Sequence, residues 1–395
     1  MRRWLLAVAL LAPVGAPCQD PIPEVSELRR RITTMRGNLP DITEAAEYAV
    51  RLMSADSSLR FLSPMSVDAG FYRELFFHGG GPPETGNADD PTLPGVVILP
   101  VRTWSSGLGI SMRVERLHST RRVVITIGAR VGKPSLPIGE RLIDNGGTND
   151  DSPPLNDLSN IVAWWTFYSE FLAAATRAGW QPGVYKSSPA PGAEAHNARV
   201  VFRMPAGAAL TAVAPGQLGR QYLDGVEALL TAVATPTHRA LVERGASLLR
   251  TARQGGATVF VASCGHYLLD EIPRDSLRTP FRPIDWRWEM GKRLSEAGAR
   301  PGDAMLWFGF GGLDCPHAEV SNAFAVAQLQ VVTLTGPTPP PAGSVALFIP
   351  AHWPQADGLA RLPFAPGVAA PVASVEMVLH YLWIKRLVGG QRTPP

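Results

Sequence analysis

The segment Gly255-Gly256-Ala257-Thr258-Val259-Phe260-Val261-Ala262-Ser263-Cys264-Gly265-His266 joins a glycine pair to a short apolar run and then to small, polar turn residues. Thr258 to Ala262 reads as a strand that is apolar on both faces, the mark of a parallel strand covered on each side. Before it, Tyr222 to Leu230 and His238 to Arg253 carry helical spacing. After it, Trp286 to Ala297 reads as a helix, Ala304 to Phe308 as a strand and His317 to Ala327 as a helix. Val331 to Thr335 and Val345 to Ile349 follow as strands, and Val372 to Leu387 as a closing helix. Short apolar strands alternating with amphipathic helices define an α/β class.

The N-terminal half shows the same order. A helix through Ile42 to Leu52 leads to the apolar run Leu59 to Leu62, and a helix begins near Phe71. The strand Val96 to Val101, a helix around Ile110 to Leu117, the strand Val123 to Ile127, the short piece Arg141 to Ile143 and a long helix Leu155 to Ala178 complete it. Gly79 to Pro94 and Pro337 to Gly343 read as loops. One order of elements used twice indicates an internal duplication. The 395 residues also exceed the roughly 250 to 300 at which one core stops growing. The expected division is 1–18 as a signal peptide, 24–204 as the first domain, 205–220 as a Gly, Ala and Pro linker, and 221–388 as the second domain.

A formal charge of +3, with 37 Lys and Arg residues scattered along the chain, argues against nucleic acid as a partner. Arg2 and Arg3, the apolar run Trp4 to Ala12 and the small residues Val14-Gly15-Ala16 follow the order of a secretory signal peptide, so export is expected. No later stretch has about 20 uninterrupted apolar residues, so no membrane span is expected. The three cysteines, Cys18, Cys264 and Cys315, are too few for a disulfide framework.

Two patches carry a family resemblance. Leu142-Ile143-Asp144-Asn145-Gly146-Gly147, the long helix after it, and Ser187 to Arg199 with Glu194-Ala195-His196-Asn197 resemble the C-terminal part of bacterial phosphosugar-binding proteins of the sugar-isomerase (SIS) domain family. Gly255 to His266 with Asp270-Glu271-Ile272, and Pro301 to Leu306, are similar to the beginning of the same domain. The resemblance implies two tandem, doubly wound, flavodoxin-like domains, each a three-layer α/β unit with a parallel sheet of about five strands. It implies a ligand at the C-terminal strand edges, with a sugar or sugar-phosphate as partner and aldose–ketose isomerisation as the catalytic form. It also implies that the two domains pair within one chain, as relatives pair across a dimer; self-association of the chain stays open.

In such a fold, loops entering helix N-termini attract phosphate through free N–H groups and the helix dipole. The candidate ligand contacts are Thr103, Ser105 and Ser106 in the first half, and Ser263, His266, Gly311 and Gly312 in the second. The family's serine-rich turn is degraded in both halves, most in the second. Isomerisation needs a base and a group to handle the sugar oxygens. Glu74 and Glu271 hold equivalent places after the first strand of each half, as base or ligand contact or as acidic residues favoured near a helix start. Glu194, His196 and Asn197 gather a carboxylate, an imidazole and an amide, as ligand site or as an ordinary polar turn. Trp104 and Trp353, in loops near strand ends, are candidates to stack on a sugar ring.

Two function classes compete with sugar binding and isomerisation. One is a catalytically silent sensor or scaffold that keeps only the fold, to which the degraded turns point. The other is a metal- or thiol-dependent enzyme built on the two Cys-x-His units, Cys264/His266 and Cys315/His317, which could instead form a disulfide or remain thiols. No cofactor and no resident metal are expected. Sugar phosphates are scarce outside the cytoplasm, so export and a phosphosugar isomerase role pull against each other.

Overall fold

Side chains alternate between the faces of a strand, and both faces here are apolar. Along Gly95–Pro100, Val96 and Ile98 join one core while Val97 and Leu99 join another; along Val259–Ser263, Val259 and Val261 separate in the same way from Phe260 and Ala262. Strands of this kind need helices on both sides, which parallel crossovers supply.

The computed structural model describes residues 22–390 except 77–78, 102–113, 118–120, 131–140, 149–152, 187–191, 205–209, 265–278, 285–288, 311–318, 337–338, 355–357 and 364–367. The first half contains α1 (Pro23–Gly37), α2 (Leu39–Ala55), β1 (Arg60–Ser63), α3 (Ala69–Phe76), β2 (Thr85–Asn87), β3 (Gly95–Pro100), β4 (Arg122–Gly128), β5 (Arg141–Asp144) and the closing helix α4 (Pro153–Arg177). A two-stranded ribbon, β6 (Gln181–Pro182) and β7 (Arg203–Met204), flanks the short α5 (Ala193–Asn197). The second half contains α6 (Gln217–Val233), α7 (Pro236–Gln254), β8 (Val259–Ser263), β9 (Arg282–Pro283), α8 (Met290–Glu296), β10 (Ala304–Gly309), α9 (Glu319–Val326), β11 (Gln330–Thr335) and β12 (Leu347–Pro350). The small ribbon β13 (Ala360–Arg361) with β14 (Val368–Ala369) and the closing helix α10 (Ala373–Gly389) complete it.

The sheets are β2-β1-β3-β4-β5 and β9-β8-β10-β11-β12, every pairing parallel. Numbered within its own half, each sheet has the order 2-1-3-4-5, the flavodoxin-like arrangement. The expected duplication is therefore present at the level of strand order. Two strands were missed at the same place in each half, β2 and β9. They have three and two residues, and β2 lies inside the stretch read as a loop; pairing with β1 and β8 makes them strands, not their own composition. The helix α1 was also unforeseen, although Val25, Leu28, Ile32 and Met35 form its buried stripe.

A single apolar core runs from the inner face of one sheet to the inner face of the other, through α1, α2, α4, α6, α7 and α10. The closing helices α4 and α10 are buried on all sides, as helices that are apolar all round must be, and pack against each other. Phe61 of β1 meets Trp164, Phe167, Tyr168 and Phe171 of α4 edge-on, with centroids 4.9 to 6.1 Å apart. Separate clusters cover the outer face of each sheet. Among the described residues no helix is long and apolar enough to cross a membrane.

Candidate functional site

Parallel strands all end at one edge, and the order 2-1-3-4-5 reverses between the first and third strands of each half. Loops diverge there and leave a crevice. In the first half the flanking ends are Ser63 and Pro100; in the second they are Ser263 and Gly309. Ser263 is fully buried, its hydroxyl 4.0 Å from the Met377 sulfur, and the Cys264 N–H donates to the Phe308 carbonyl at 2.7 Å. Thr103, Trp104, Ser105, Ser106, His266, Glu271, Gly311, Gly312, Cys315 and His317 lie outside the described residues.

Glu194, His196 and Asn197 are together on α5. Asn197 clasps the backbone of Lys186, accepting from its N–H at 2.8 Å and donating to its carbonyl at 2.9 Å. The His196 Nε2 lies 2.9 Å from the Val184 carbonyl, which can only accept, so that nitrogen carries the proton. Both residues thus hold α5 against the segment that follows β6. Glu194 is exposed, and a surface depression of about 290 Å3 is lined by Ala195, His196, Arg199 and Val200.

Glu74 lies in the second turn of α3, fully buried. Its carboxylate accepts from the Trp165 indole N–H at 2.9 Å and from the Ser374 hydroxyl at 2.8 Å. One oxygen is held by the closing helix of the first half and the other by that of the second, so this carboxylate ties the halves together. Trp353 is also inside: 2% exposed, with its ring stacked parallel on Phe310 at 6.3 Å, it packs in the core instead of presenting a face to solvent.

Each half carries a polar cluster where the loop after its fifth strand meets its closing helix. In the first half, Asp144 accepts from the Asn38 amide at 3.2 Å and from the Gly146 N–H at 3.0 Å. Asn145 donates to Asn160 on α4 at 2.8 Å and accepts from the Gly147 N–H at 2.8 Å. Beneath this turn Arg31 is wholly buried, donating to Leu155 O, Asn156 Oδ1 and Ser159 Oγ at 2.7 to 2.9 Å, with Glu27 2.7 Å from its Nε. Gly146 has a φ of +72°, and a Cβ there would stand 2.9 Å from the Arg31 backbone. The Asp-Asn-Gly-Gly motif is thus a tight, internally bonded turn.

In the second half the same meeting point holds imidazoles. Glu376 on α10 is fully buried and accepts from the N–H groups of His352 and Trp353 at 2.9 to 3.1 Å, and from His352 Nδ1 at 3.0 Å. One turn later on α10, His380 places Nδ1 2.8 Å from the Glu376 carbonyl and Nε2 2.7 Å from Nε2 of His238, in the first turn of α7. His352 and His238 meet edge to face, with centroids 4.4 Å apart. Ligand atoms of His238, Glu376 and His380 lie within 4.8 Å of one another. Burial, with the neighbouring imidazoles adding to it, pushes the His238 pKa down to about 2, and burial also lowers that of His380.

No family model and no curated protein sequence matches the chain. Among solved structures, a proposed phosphosugar isomerase from Silicibacter pomeroyi DSS-3 is similar over 94% of this chain and 97% of its own, with a TM-score of 0.52 and 10% identity. A proposed sugar-binding protein from Salmonella typhimurium LT2 is similar over 93% of this chain and 98% of its own, with a TM-score of 0.53 and 9% identity. The fold is that of two tandem SIS domains. At such identities the likeness extends to architecture, and the sites must be read from this chain's own residues.

The histidine cluster was not foreseen. One signal was legible: Glu376 and His380 are spaced i, i+4 within an otherwise apolar closing helix, and so share a face. Nothing in spacing connects them to His238 or His352, which arrive from a helix and a loop far away in sequence.

Proposed function

We propose that the chain is an exported SIS-type protein that binds a sugar or sugar-phosphate at the C-terminal strand edges. The observation that carries this reading is the duplicated 2-1-3-4-5 parallel sheet, which creates one crevice per half at the reversal of strand order. The two similar structures, one a proposed phosphosugar isomerase and the other a proposed sugar-binding protein, support the same class of ligand. The hydroxyl-bearing stretch Thr103 to Ser106 would supply donors in the first half, and the amides of Gly311 and Gly312 in the second.

An isomerase needs a base free to reach substrate carbon. Glu74 already accepts two hydrogen bonds inside the core, and His196 uses its Nε2 proton on a backbone carbonyl, which favours a binding or sensing role.

Calorimetry of the mature protein against hexose phosphates, pentose phosphates and the corresponding free sugars tests the proposal. Saturable binding of a sugar phosphate, weakened at least tenfold by the triple change Thr103→Ala, Ser105→Ala, Ser106→Ala, is the expected result, since each lost bond to a charged group is worth about 1.5 to 3 kcal/mol. No binding by folded protein at millimolar concentrations would overturn it. Aldose–ketose interconversion under the same conditions would establish the isomerase form.

A further inference from the structure

We propose that His238, Glu376 and His380 form a binding site for a divalent transition metal of the zinc type, with His352 beside its open coordination position. The inference stands independently of the sugar reading. Two imidazoles and one carboxylate are a ligand set that zinc takes when a fourth place is kept for water or substrate, and imidazole favours zinc, copper, nickel and iron over magnesium or calcium. The three donors come from the first turn of α7 and the first two turns of α10, beside the end of β12, and all three are buried.

One hydrogen bond sets the His380 tautomer for this role. The Glu376 carbonyl only accepts, so His380 Nδ1 carries the ring proton, and the neutral ring turns its bare Nε2 toward His238. A protein acceptor on the far nitrogen is the usual outer support of a metal-binding histidine. Facing each other at 2.7 Å, the two Nε2 atoms can be joined by only one proton, donated from His238, and coordination through this nitrogen would move that proton to the His238 Nδ1 by way of solvent. A tetrahedral ion with bonds of 2.0 to 2.1 Å would hold them about 3.3 Å apart, a rearrangement of roughly half an ångström.

Charge supplies a second argument. Glu376 is wholly buried, and among the described residues its ion-pair partner is His352, charged only when protonated. A carboxylate in that setting is costly without a cation nearby, and a divalent ion supplies one. The N-terminal ends of α7 and α10 oppose a cation weakly; the carboxylate and direct coordination outweigh them. The His352 side chain is 27% exposed, which gives the buried donors a route to solvent.

The test uses the full mature chain, free of any histidine tag and stripped with a chelator, titrated at pH 7.5 with zinc by calorimetry and with cobalt(II) by visible absorption. One equivalent bound at micromolar or tighter dissociation constant, with the intense visible bands of a four- or five-coordinate cobalt site, is expected. His238→Gln and Glu376→Gln should each weaken binding by at least about 100-fold, because each removes a direct ligand where outer-support changes alone cost 10- to 100-fold. His196→Gln, on α5, should leave it unchanged. Should Glu376→Gln fail to fold, His238→Gln still decides the matter. Absence of saturable binding by folded protein up to about 0.1 mM metal would overturn the proposal, as would wild-type affinity in folded His238→Gln.

Discussion

The two halves put different chemistry at the same place in the fold. In each, the loop after the fifth strand is tied to the first turns of the closing helix, next to the N-terminus of the helix that precedes the first strand. The first half fills this point with Asn38, Asp144, Asn145 and Asn160, above the buried Arg31. The second fills it with His238, His352, Glu376 and His380. Amides and a guanidinium satisfy one another and close the turn. Two imidazoles and a carboxylate bring three metal-ligand atoms within 4.8 Å of one another, so one copy of the fold is specialised for rigidity there and the other for a ligand.

The comparison breaks most visibly at Arg31. Replacing it with Met would leave Asn156, Ser159 and the Leu155 carbonyl buried without their shared donor, and Glu27 with Arg30 as its remaining partner. Breaking a buried charged network from one side costs about 3 to 5 kcal/mol. Denaturant unfolding should show that loss, whereas a change under 1 kcal/mol would mean that water takes over the guanidinium's role.

The histidine cluster of the second half should make stability respond to pH in the range where imidazoles titrate. In chelated, metal-free protein, His238 and His380 have folded pKa values below 6.5, facing His352 and Glu376 from α7, α10 and the loop between β12 and α10. Below pH 6.5 the unfolded chain takes up protons that the folded chain refuses, so stability falls as pH falls. Two such groups give a slope of up to about 2.7 kcal/mol per pH unit. Above pH 6.5 the contribution is flat. His238→Gln should halve the slope between pH 6 and 4.5, and an unchanged slope would assign the acid sensitivity to other groups.

Much of this architecture was legible in the sequence because it rests on period-two and period-3.6 apolar patterns, which the long strands and both closing helices carry strongly. The short edge strands β2 and β9 were not, since they are strands only by virtue of the neighbour they pair with. α1 was hidden by a run of arginines, one of which, Arg31, is itself buried. For the site, the Asp-Asn-Gly-Gly turn and the Glu194 to Asn197 segment could be picked out because each is contiguous. The cluster of His238, His352, Glu376 and His380 could not, because only the tertiary fold brings a helix start, a loop and a closing helix together.

A smaller effect is expected at the joint between the halves. Glu170 of α4 accepts from the N–H groups of Gly216 and Gly219 at 2.7 Å each, so a first-half carboxylate caps the first helix of the second half. A Cβ on Gly219 would come within 3.0 Å of Glu170 and 2.9 Å of Leu39. Gly219→Ala should therefore cost about 1 to 3 kcal/mol despite the better helix propensity of alanine. A stabilising result in thermal unfolding would show that the joint yields, and that the halves are less tightly coupled than their shared core implies.

The weakest expected effect concerns the chain ends. Glu24 in the first turn of α1 binds Arg386 near the end of α10 through two hydrogen bonds of 2.7 and 3.2 Å, and the side chains are 10% and 18% exposed. Arg36 and Asp224 make a second bridge between the halves at 2.8 Å, but those side chains are 35% and 60% exposed. Water screens the exposed pair and side-chain entropy offsets it, so Asp224→Asn should be close to neutral. The Glu24 pair is forked and mostly shielded, so Glu24→Gln keeps the shape, loses one charge and should cost about 1 kcal/mol. Measured side by side in denaturant, Glu24→Gln should exceed Asp224→Asn, and the gap should survive 0.5 M salt because a shielded pair is screened less. Equal and salt-sensitive losses would mean that both bridges act as surface pairs, leaving Glu74, Glu170 and the apolar core to hold the two halves together.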